Sequence, residues 1–296
     1  MKKYCLAFLS FLSCLQADEW YTETLHPSWR QTFRIDQVLH EEKSDLQDLI
    51  IFQNSTYGKV LALDGVIQTT EADEFVYHEM MTHVPLLAHG NVKKVLIIGG
   101  GDGGILREVL RHKKVEKAVL VEIDGSVVTF SKQYLPSLSK GAFDDPRTQV
   151  IIQDGCQYVK NSLEKFDVII CDSTDPFGPG AVLFTSEFYS DCHNLLAEGG
   201  IFVNQNGVPF LQGSEIGLTL KNRKNSFKNV GFYLGVIPTY AGGFMAFGWA
   251  SDVDYTVTVD DLKTRLKDVQ GEMKYYTPAI HLASFALPKF IADLMN

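Results

Sequence analysis

The sequence predicts an α/β protein in which a small N-terminal antiparallel β domain precedes a parallel, doubly wound sheet. Three observations carry that expectation. Residues 95–104, VLIIGGGDGG, read as a strand buried on both faces that runs into a glycine turn. Helical spacing follows over 105–112, which makes the unit the opening of a nucleotide-binding βαβ motif. Apolar strands beginning at Val95, Ala118, Val150, Asp167 and Ile201 then alternate with helical stretches. Ahead of them, residues 20–70 hold short alternating or apolar runs, broken by the turn signals Tyr57-Gly58 and Asp64-Gly65.

Taken in order, the chain opens on a segment of ambiguous meaning. Lys2 and Lys3 precede an apolar run over residues 4–15, and Ala17 offers a cleavage position, the shape of a secretory signal peptide. The run is too short to span a bilayer. The other reading is an upstream start codon or an inert tail. Residues 1–17 are therefore set apart as a leader, 18–70 as the β-hairpin domain and 71–296 as the catalytic domain. Within 18–70, residues 31–39 and 48–53 read as strands. Residues 71–87 read as a helix leading to the glycine turn, and 244–250 and 255–259 as two late strands. The net charge of −9 over 296 residues excludes the basic footprint of a nucleic-acid binder. It suits a cationic substrate, and equally ordinary solubility. The five cysteines, Cys5, Cys14, Cys156, Cys171 and Cys192, lack the spacing of a disulfide framework or a zinc site. HEMMTH places His78 and His83 five apart, which does not put both on one helix face, so no metal is expected there.

Ligands of such sheets bind beyond the carboxyl ends of the strands. Asp102 lies inside the glycine turn, where an anion repels a pyrophosphate and favours a ligand that brings positive charge, such as an adenosyl sulfonium. Glu122 ends the next strand, where an acid holds ribose hydroxyls or is simply an exposed carboxylate. Asp154-Gly155 can accept from an adenine amino group or form a plain turn. In FDVIICDSTDPFGPG, residues 166–180, a buried strand ends at Asp172 with Asp175 three residues on, under a loop shaped by Pro and Gly. In IPTYAGG, Tyr240 either lines a ligand's aliphatic chain or packs at the surface.

With these residues assembled, the chain resembles the spermidine synthases, the putrescine aminopropyltransferases, and most closely their bacterial branch. The resemblance runs from about Trp20 to the C-terminus. It is carried by YGKVLALDGVIQTTEADEFVYHEMMTHVPL, VLIIGGGDGG, VEID, DVIICDSTDPFGP, IPTYAGG and YYTPAIHLASFALP, and the leader falls outside it. It implies a small β domain followed by a methyltransferase-like, Rossmann-type seven-stranded sheet. It implies Asp172 as general base, and Gln47, Glu122, Asp154, Gly155 and Pro179 around the adenosyl part of the donor. Tyr77, His78, Asp102, the segment Asp172, Ser173, Thr174 and Asp175, Gln205 and Tyr240 would surround the diamine and the transferred chain. The donor would be decarboxylated S-adenosylmethionine, a co-substrate and no cofactor, and the acceptor putrescine. The resemblance also implies a homodimer or a tetramer. No membrane or nucleic-acid partner is expected, and the use of a cytosolic donor points to the cytoplasm, export being the other reading. Two competing functions stay open: an S-adenosylmethionine-dependent amine N-methyltransferase on the same scaffold, against which Asp102 argues, and a non-catalytic polyamine or nucleoside binder.

Overall fold

The structure, a computed structural model, describes residues 19–44, 46–176 and 178–296. The leader expected at residues 1–17 lies outside them, as do Cys5 and Cys14. Strands β1 (Glu19–Thr22) and β2 (Thr32–Ile35) pair antiparallel. Strands β3 (Gln37–Lys43), β4 (Asp48–Asn54), β5 (Gly58–Leu63) and β6 (Val66–Thr70) form an antiparallel sheet in sequence order. The run expected over 31–39 is thus split at Asp36, where the chain passes from one small sheet to the other. Asp64 and Gly65 both take positive φ, 48° and 84°, the backbone that matches a two-residue hairpin to strand twist. Alternation gives β4 and β5 two apolar faces. Leu49, Ile51, Leu61 and Leu63 form one; Phe52, Val60 and Ala62 join Phe33 and Ile67 on the other.

Helix α1 (Glu74–His89) follows, ending at Gly90 in the left-handed conformation with φ 79°. It is buried on nearly every side because the large sheet flanks it on one side and a C-terminal segment on the other. Glu79, 1% exposed, accepts the backbone N–H groups of Lys274, Tyr275 and Tyr276 and so pins that segment. The chain then alternates through β7 (Lys94–Gly99), α2 (Gly104–Leu110), β8 (Lys117–Glu122), α3 (Gly125–Tyr134), α4 (Pro136–Ser139), β9 (Thr148–Ile152), α5 (Gly155–Asn161), β10 (Phe166–Asp172), α6 (Ser186–Leu195), β11 (Leu196–Gln205) and α7 (Pro209–Lys224). It closes with β12 (Asn229–Gly235), β13 (Met245–Ser251), α8 (Val259–Leu266), α9 (Pro278–Ser284) and α10 (Lys289–Asp293).

The large sheet has seven strands in the order β12-β13-β11-β10-β7-β8-β9. Its strands divide between two cores as period-2 geometry requires. Val95, Ile97, Leu120, Ile170 and Val203 face α1 and α2; Leu96, Ile98, Val121, Ile169 and Phe202 face α5 and α6. The apolar face of β4 and β5 packs on Val127, Leu135 and Leu138 from α3 and the start of α4, which sets the N-terminal sheet over the carboxyl ends of the strands.

Two expectations are corrected. The sheet is not wholly parallel, since β13 runs against both β11 and β12. The connection from β12 to β13, residues 236–244, is too short for the crossover that a parallel pair needs. Residues 255–259 are not a strand. Thr258 caps α8 instead, its hydroxyl accepting from the Asp261 N–H while the Asp261 carboxylate accepts from the Thr258 N–H. Both edges of β13 are already paired. The seventh strand is NVGFYLG, whose glycines weaken its strand pattern in sequence.

Ile169 is fully buried at the centre of the sheet. Ile169→Ala is expected to cost about 2–5 kcal/mol, through lost burial and the cavity left behind. Urea denaturation should show a lower midpoint at unchanged slope.

Candidate active site

Strands β7, β8, β10 and β11 end together beneath the N-terminal sheet, and a cavity of about 660 Å³ opens there. That volume suits a ligand of nucleoside size together with a small amine. The glycine turn forms its floor. Gly99 pairs with Asp172 in the parallel register of β7 and β10, and its φ is 79°. A Cβ there would overlap the Asp172 carbonyl oxygen, which accepts instead from the Gly100 N–H at 3.1 Å. Only glycine permits the two strand ends to close so tightly. Gly104 is likewise required, since a Cβ would enter the His78 ring.

Asp172 ends β10 and is half-buried. Its Oδ1 accepts from the Tyr77 hydroxyl at 2.6 Å. Burial raises the Asp172 pKa, and the charge of Asp102 adds to it; the bond from Tyr77 and the charge of His78 oppose both. Tyr77 is itself held well above the ordinary phenol value by burial and by Asp172, so it stays a donor. Its ring meets Tyr240 edge-on at 6.0 Å. Tyr240 is fixed by its hydroxyl, which donates to the Gln68 carbonyl at 2.5 Å. The turn that carries it is fixed by Asp73, whose carboxylate accepts from the Thr239 N–H at 2.7 Å and from the Thr239 hydroxyl.

Asp102 is 8% exposed. Its Oδ1 accepts from the Gly104 N–H at 2.7 Å and its Oδ2 lies 3.3 Å from His78 Nε2. His78 Nδ1 lies 2.6 Å from Glu74, which in turn pairs with Arg107 at 2.8 Å. Burial alone would lower the His78 pKa, but Asp102 and Glu74 outweigh it and bring the group to about 10. Burial would raise Glu74, yet His78 and Arg107 hold it at about 2. His78 is therefore an imidazolium clamped between two carboxylates, and the alternating charges end on Asp102 at the cavity wall.

Toward β8, Glu122 is buried and pushed up to about 7 by that burial, with the neighbouring Asp124 and Asp172 adding to it. Its Oε1 accepts from the Asp124 N–H. Gln47 reaches across from the N-terminal sheet and donates to Asp124 at 2.9 Å. Asp154 lines the cavity with Gly155 and also caps α5, accepting from the Cys156 and Gln157 N–H groups. The dipeptide thus has a local role as a helix cap and also lies at the cavity wall. Ser173, Thr174 and Asp175 continue along the wall, and Gln205 donates to the Thr174 carbonyl at 3.1 Å. Asp175 is raised by burial and accepts from Gln212 at 2.9 Å.

The cavity thus gathers Gln47, Tyr77, His78, Asp102, Glu122, Asp154, Gly155, Asp172, Ser173, Thr174, Asp175, Gln205 and Tyr240. Pro179 lies outside the residues whose side chains are described. Sequence reasoning missed Glu23, Asp73, Glu74, Arg107 and Gln212. Glu74 could have been found, since it precedes His78 by four residues on a predicted helix. Glu23, 5% exposed, faces Asp175 across the cavity and accepts from Gln31 and the Ile67 N–H; it carries no local signal. His83, the other histidine of HEMMTH, is turned away to Glu108 and His112, and no metal-ligand group occurs among the described residues.

Comparison with known proteins matches residues 74–261 to the spermine/spermidine synthase domain and residues 19–71 to the spermidine synthase tetramerisation domain. The chain is 55% identical over 283 residues to the polyamine aminopropyltransferase of Pectobacterium carotovorum subsp. carotovorum (strain PC1), covering 95% of this chain and 98% of that one. It is 54% identical over 279 residues to the enzyme of the same name from Shigella flexneri, covering 94% and 96%. Among solved structures it is similar to a spermidine synthase in complex with the transition-state analogue AdoDATO, with a TM-score of 0.86, 42% identity and 94% of each chain covered. It is also similar to the spermidine synthase from Thermotoga maritima, with a TM-score of 0.85, 40% identity and 94% of each chain covered.

The clamp on His78 has a signed consequence for stability. A histidine whose pKa rises on folding contributes stability that is complete below about 6.5, its unfolded value, and that is lost as pH rises through about 10. Urea midpoints should therefore decline between these values, and His78→Gln should flatten the decline. Glu74→Gln removes the group that joins two buried cations and is expected to cost about 3–5 kcal/mol, read as a lower urea midpoint at pH 7.

Proposed function

The chain belongs to the spermine/spermidine synthase family, and from that premise we propose that it is a spermidine synthase. In this reading it moves the aminopropyl group of decarboxylated S-adenosylmethionine to putrescine and yields spermidine and 5′-methylthioadenosine. One observation carries the reading. Asp172, hydrogen-bonded to Tyr77, lines a single cavity together with Asp102, Asp175 and Glu23. Carboxylates around a closed space suit two cationic substrates. The nucleoside half of the donor would lie toward Glu122, Gln47, Asp154 and Gly155, with Glu122 accepting from the ribose hydroxyls. The reaction needs no cofactor, because the sulfonium donor is a co-substrate that brings its own leaving group.

The acceptor arrives as a dication, since primary amines of this kind have a pKa near ~10. A protonated amine has no lone pair with which to attack. Asp175 and Glu23 would hold the far ammonium, while the near one meets Asp172. Asp172 takes its proton, and Tyr77, hydrogen-bonded to the same carboxylate, helps to orient it. The freed nitrogen forms a bond to the aminopropyl carbon beside sulfur. The carbon–sulfur bond breaks, its electron pair goes to sulfur, and neutral methylthioadenosine leaves. The second proton on the new secondary amine matches its ordinary charged state in product. Holding nitrogen, carbon and sulfur in line supplies much of the remaining acceleration.

Asp102 accounts for donor choice. The decarboxylated donor presents an ammonium where ordinary S-adenosylmethionine also carries a carboxylate, and a fixed anion attracts the first and repels the second. A homodimer or a tetramer belongs to the proposal, supported by the match of residues 19–71 to a tetramerisation domain. So does a cytoplasmic location, supported by the names of the biosynthetic relatives. No helix among the described residues is long and apolar enough to cross a membrane.

The deciding experiment is turnover with the decarboxylated donor against a panel of diamines and triamines, with methylthioadenosine as the readout. Putrescine should be the preferred acceptor. Methyl transfer from S-adenosylmethionine, or binding without product, would overturn the proposal. Asp172→Asn is expected to lower turnover by roughly 10²–10⁴. In wild type, kcat/KM should fall with acid from a pH well above the ordinary carboxylate range, because burial and Asp102 raise the Asp172 pKa. Asp102→Asn should lower activity and narrow the preference for the decarboxylated donor in competitive binding. Unchanged selectivity would count against its role.

A further inference from the structure

Behind Asp175 lies a second buried carboxyl that the mechanism above does not use. Glu215, 9% exposed, stands on α7. Its Oε1 accepts from Gln212 Nε2 at 3.2 Å, and Oε2 has no hydrogen-bond donor among the described residues. The same Gln212 nitrogen donates to Asp175 Oδ1 at 2.9 Å, while Gln212 Oε1 accepts from the Val208 N–H at 2.8 Å. Both N–H bonds of the amide are thereby used, and it cannot rotate without losing three bonds. Its backbone is itself kinked out of helical geometry, with φ −121° and ψ 34°, which turns the side chain back toward the cavity.

The surroundings of Glu215 hold little else that is charged. Strands β12 and β13, packed against α7, contain no charged residue. On α6, Glu187 pairs with Lys160, His193 with Asp252, and Asp191 acts on Cys156; on α10, Lys289 pairs with Asp293; Lys221 and Lys224 stand in the last turn of α7. Arg223, two turns further along α7, bonds Asn204 and Asn206. His26 and Glu23 act on Asp175 from the far side of the cavity. Asp175 is thus the charge that Glu215 feels most. Burial, then the Asp175 charge, raise Glu215 to about 7.

We propose that Glu215 is a positioning residue for the acceptor: it senses the far ammonium at Asp175 through Gln212 and releases its proton to solvent when that ammonium arrives. Just below about pH 7 the empty site holds Glu215 mostly protonated, and the loaded site holds it ionised. The added anion strengthens the hold on the dication only above the pH at which Glu215 ionises in the complex. Acceptor affinity therefore rises with pH and levels off above about 7, where Glu215 is ionised in the empty site as well. The proposal rests on the diamine acceptor assigned above.

The test compares wild type with Glu215→Gln, with putrescine as the probe. Lowering the Glu215 pKa by one unit on binding corresponds to about a tenfold gain in affinity. At pH 8 the variant should show KM about tenfold above wild type, with a smaller change in kcat, and the two should converge at pH 5.5. Asp172 titrates in both proteins and cancels from the ratio, whereas the charge of Asp175 acts on Glu215, so any change in its titration belongs to the same bridge. Glu215→Asp, which restores a carboxyl, should restore part of the pH dependence. Calorimetry of putrescine binding to wild type at pH 6.5, in two buffers of different ionisation enthalpy, should show net proton release that shrinks in Glu215→Gln. A KM ratio constant across pH, or no proton release in wild type, would overturn the proposal. Failure of wild type to bind putrescine or to transfer aminopropyl at any pH would remove the functional reading and this proposal together, a result distinct from either of those.

Discussion

Like charges in a poorly solvated space repel, and most of the local architecture answers that constraint. Asp102, Asp172, Asp175, Glu122 and Glu23 share one cavity. Left without partners they would take up protons and lose the field that draws a cation. Each has instead a specific donor. Tyr77 serves Asp172, the Gly104 N–H and His78 serve Asp102, Gln212 serves Asp175, the Asp124 N–H serves Glu122, and Gln31 serves Glu23. These donors are mostly neutral. A lysine or arginine would hold the acids ionised more firmly, but it would also cancel the charge that the substrates need. His78 is the exception, and Glu74 balances it from behind.

This arrangement explains what the sequence discloses and what it hides. Residues whose role follows from backbone geometry are legible. The run VLIIGGGDGG announces its strand and turn, and Asp102, Glu122, Asp154 and Asp172 lie where predicted strands stop, which is where parallel sheets bind. The donors behind the acids are not legible, because they come from distant segments. Gln212 sits at an irregular point of α7, and Glu23 is brought to Asp175 by the packing of the N-terminal sheet. No local pattern ties either residue to the acid it faces. The two misread stretches of the sheet have the same origin. A strand with two glycines, 229–235, and an apolar run whose possible partners were already paired, 255–259, are decided by neighbours that periodicity does not reveal.

The N-terminal sheet is part of the site and not an appendage to it. Gln47 and Gln68 come from it or from its edge, Glu23 and Gln31 from the ends of the β1–β2 pair beside it, and all four line the cavity. Its placement depends on apolar contacts between β4–β5 and α3–α4. Those contacts depend on the antiparallel register of β4 and β5, Leu49 opposite Leu63 and Ile51 opposite Leu61, which turns all four side chains to one face. A one-residue slip would turn these side chains outward and withdraw the covering sheet from the cavity. Core packing and substrate closure are therefore a single requirement on this segment.

The proposed reaction also turns on a proton transfer. An aliphatic amine holds its proton far more tightly than a carboxylate does in water, so Asp172 would be a poor base if it kept its ordinary pKa. Burial and the nearby Asp102 move it in the useful direction. In the proposed reaction the second carboxylate would have two effects that reinforce each other: it would attract the donor's ammonium, and by repulsion it would make Asp172 readier to accept a proton. A bound sulfonium works on the other partner. Its positive charge beside the near ammonium disfavours the protonated amine and lowers that pKa as well. The two values approach each other only when both substrates are in place, so the electrostatics of the full complex, and not of the empty cavity, make the nucleophile available.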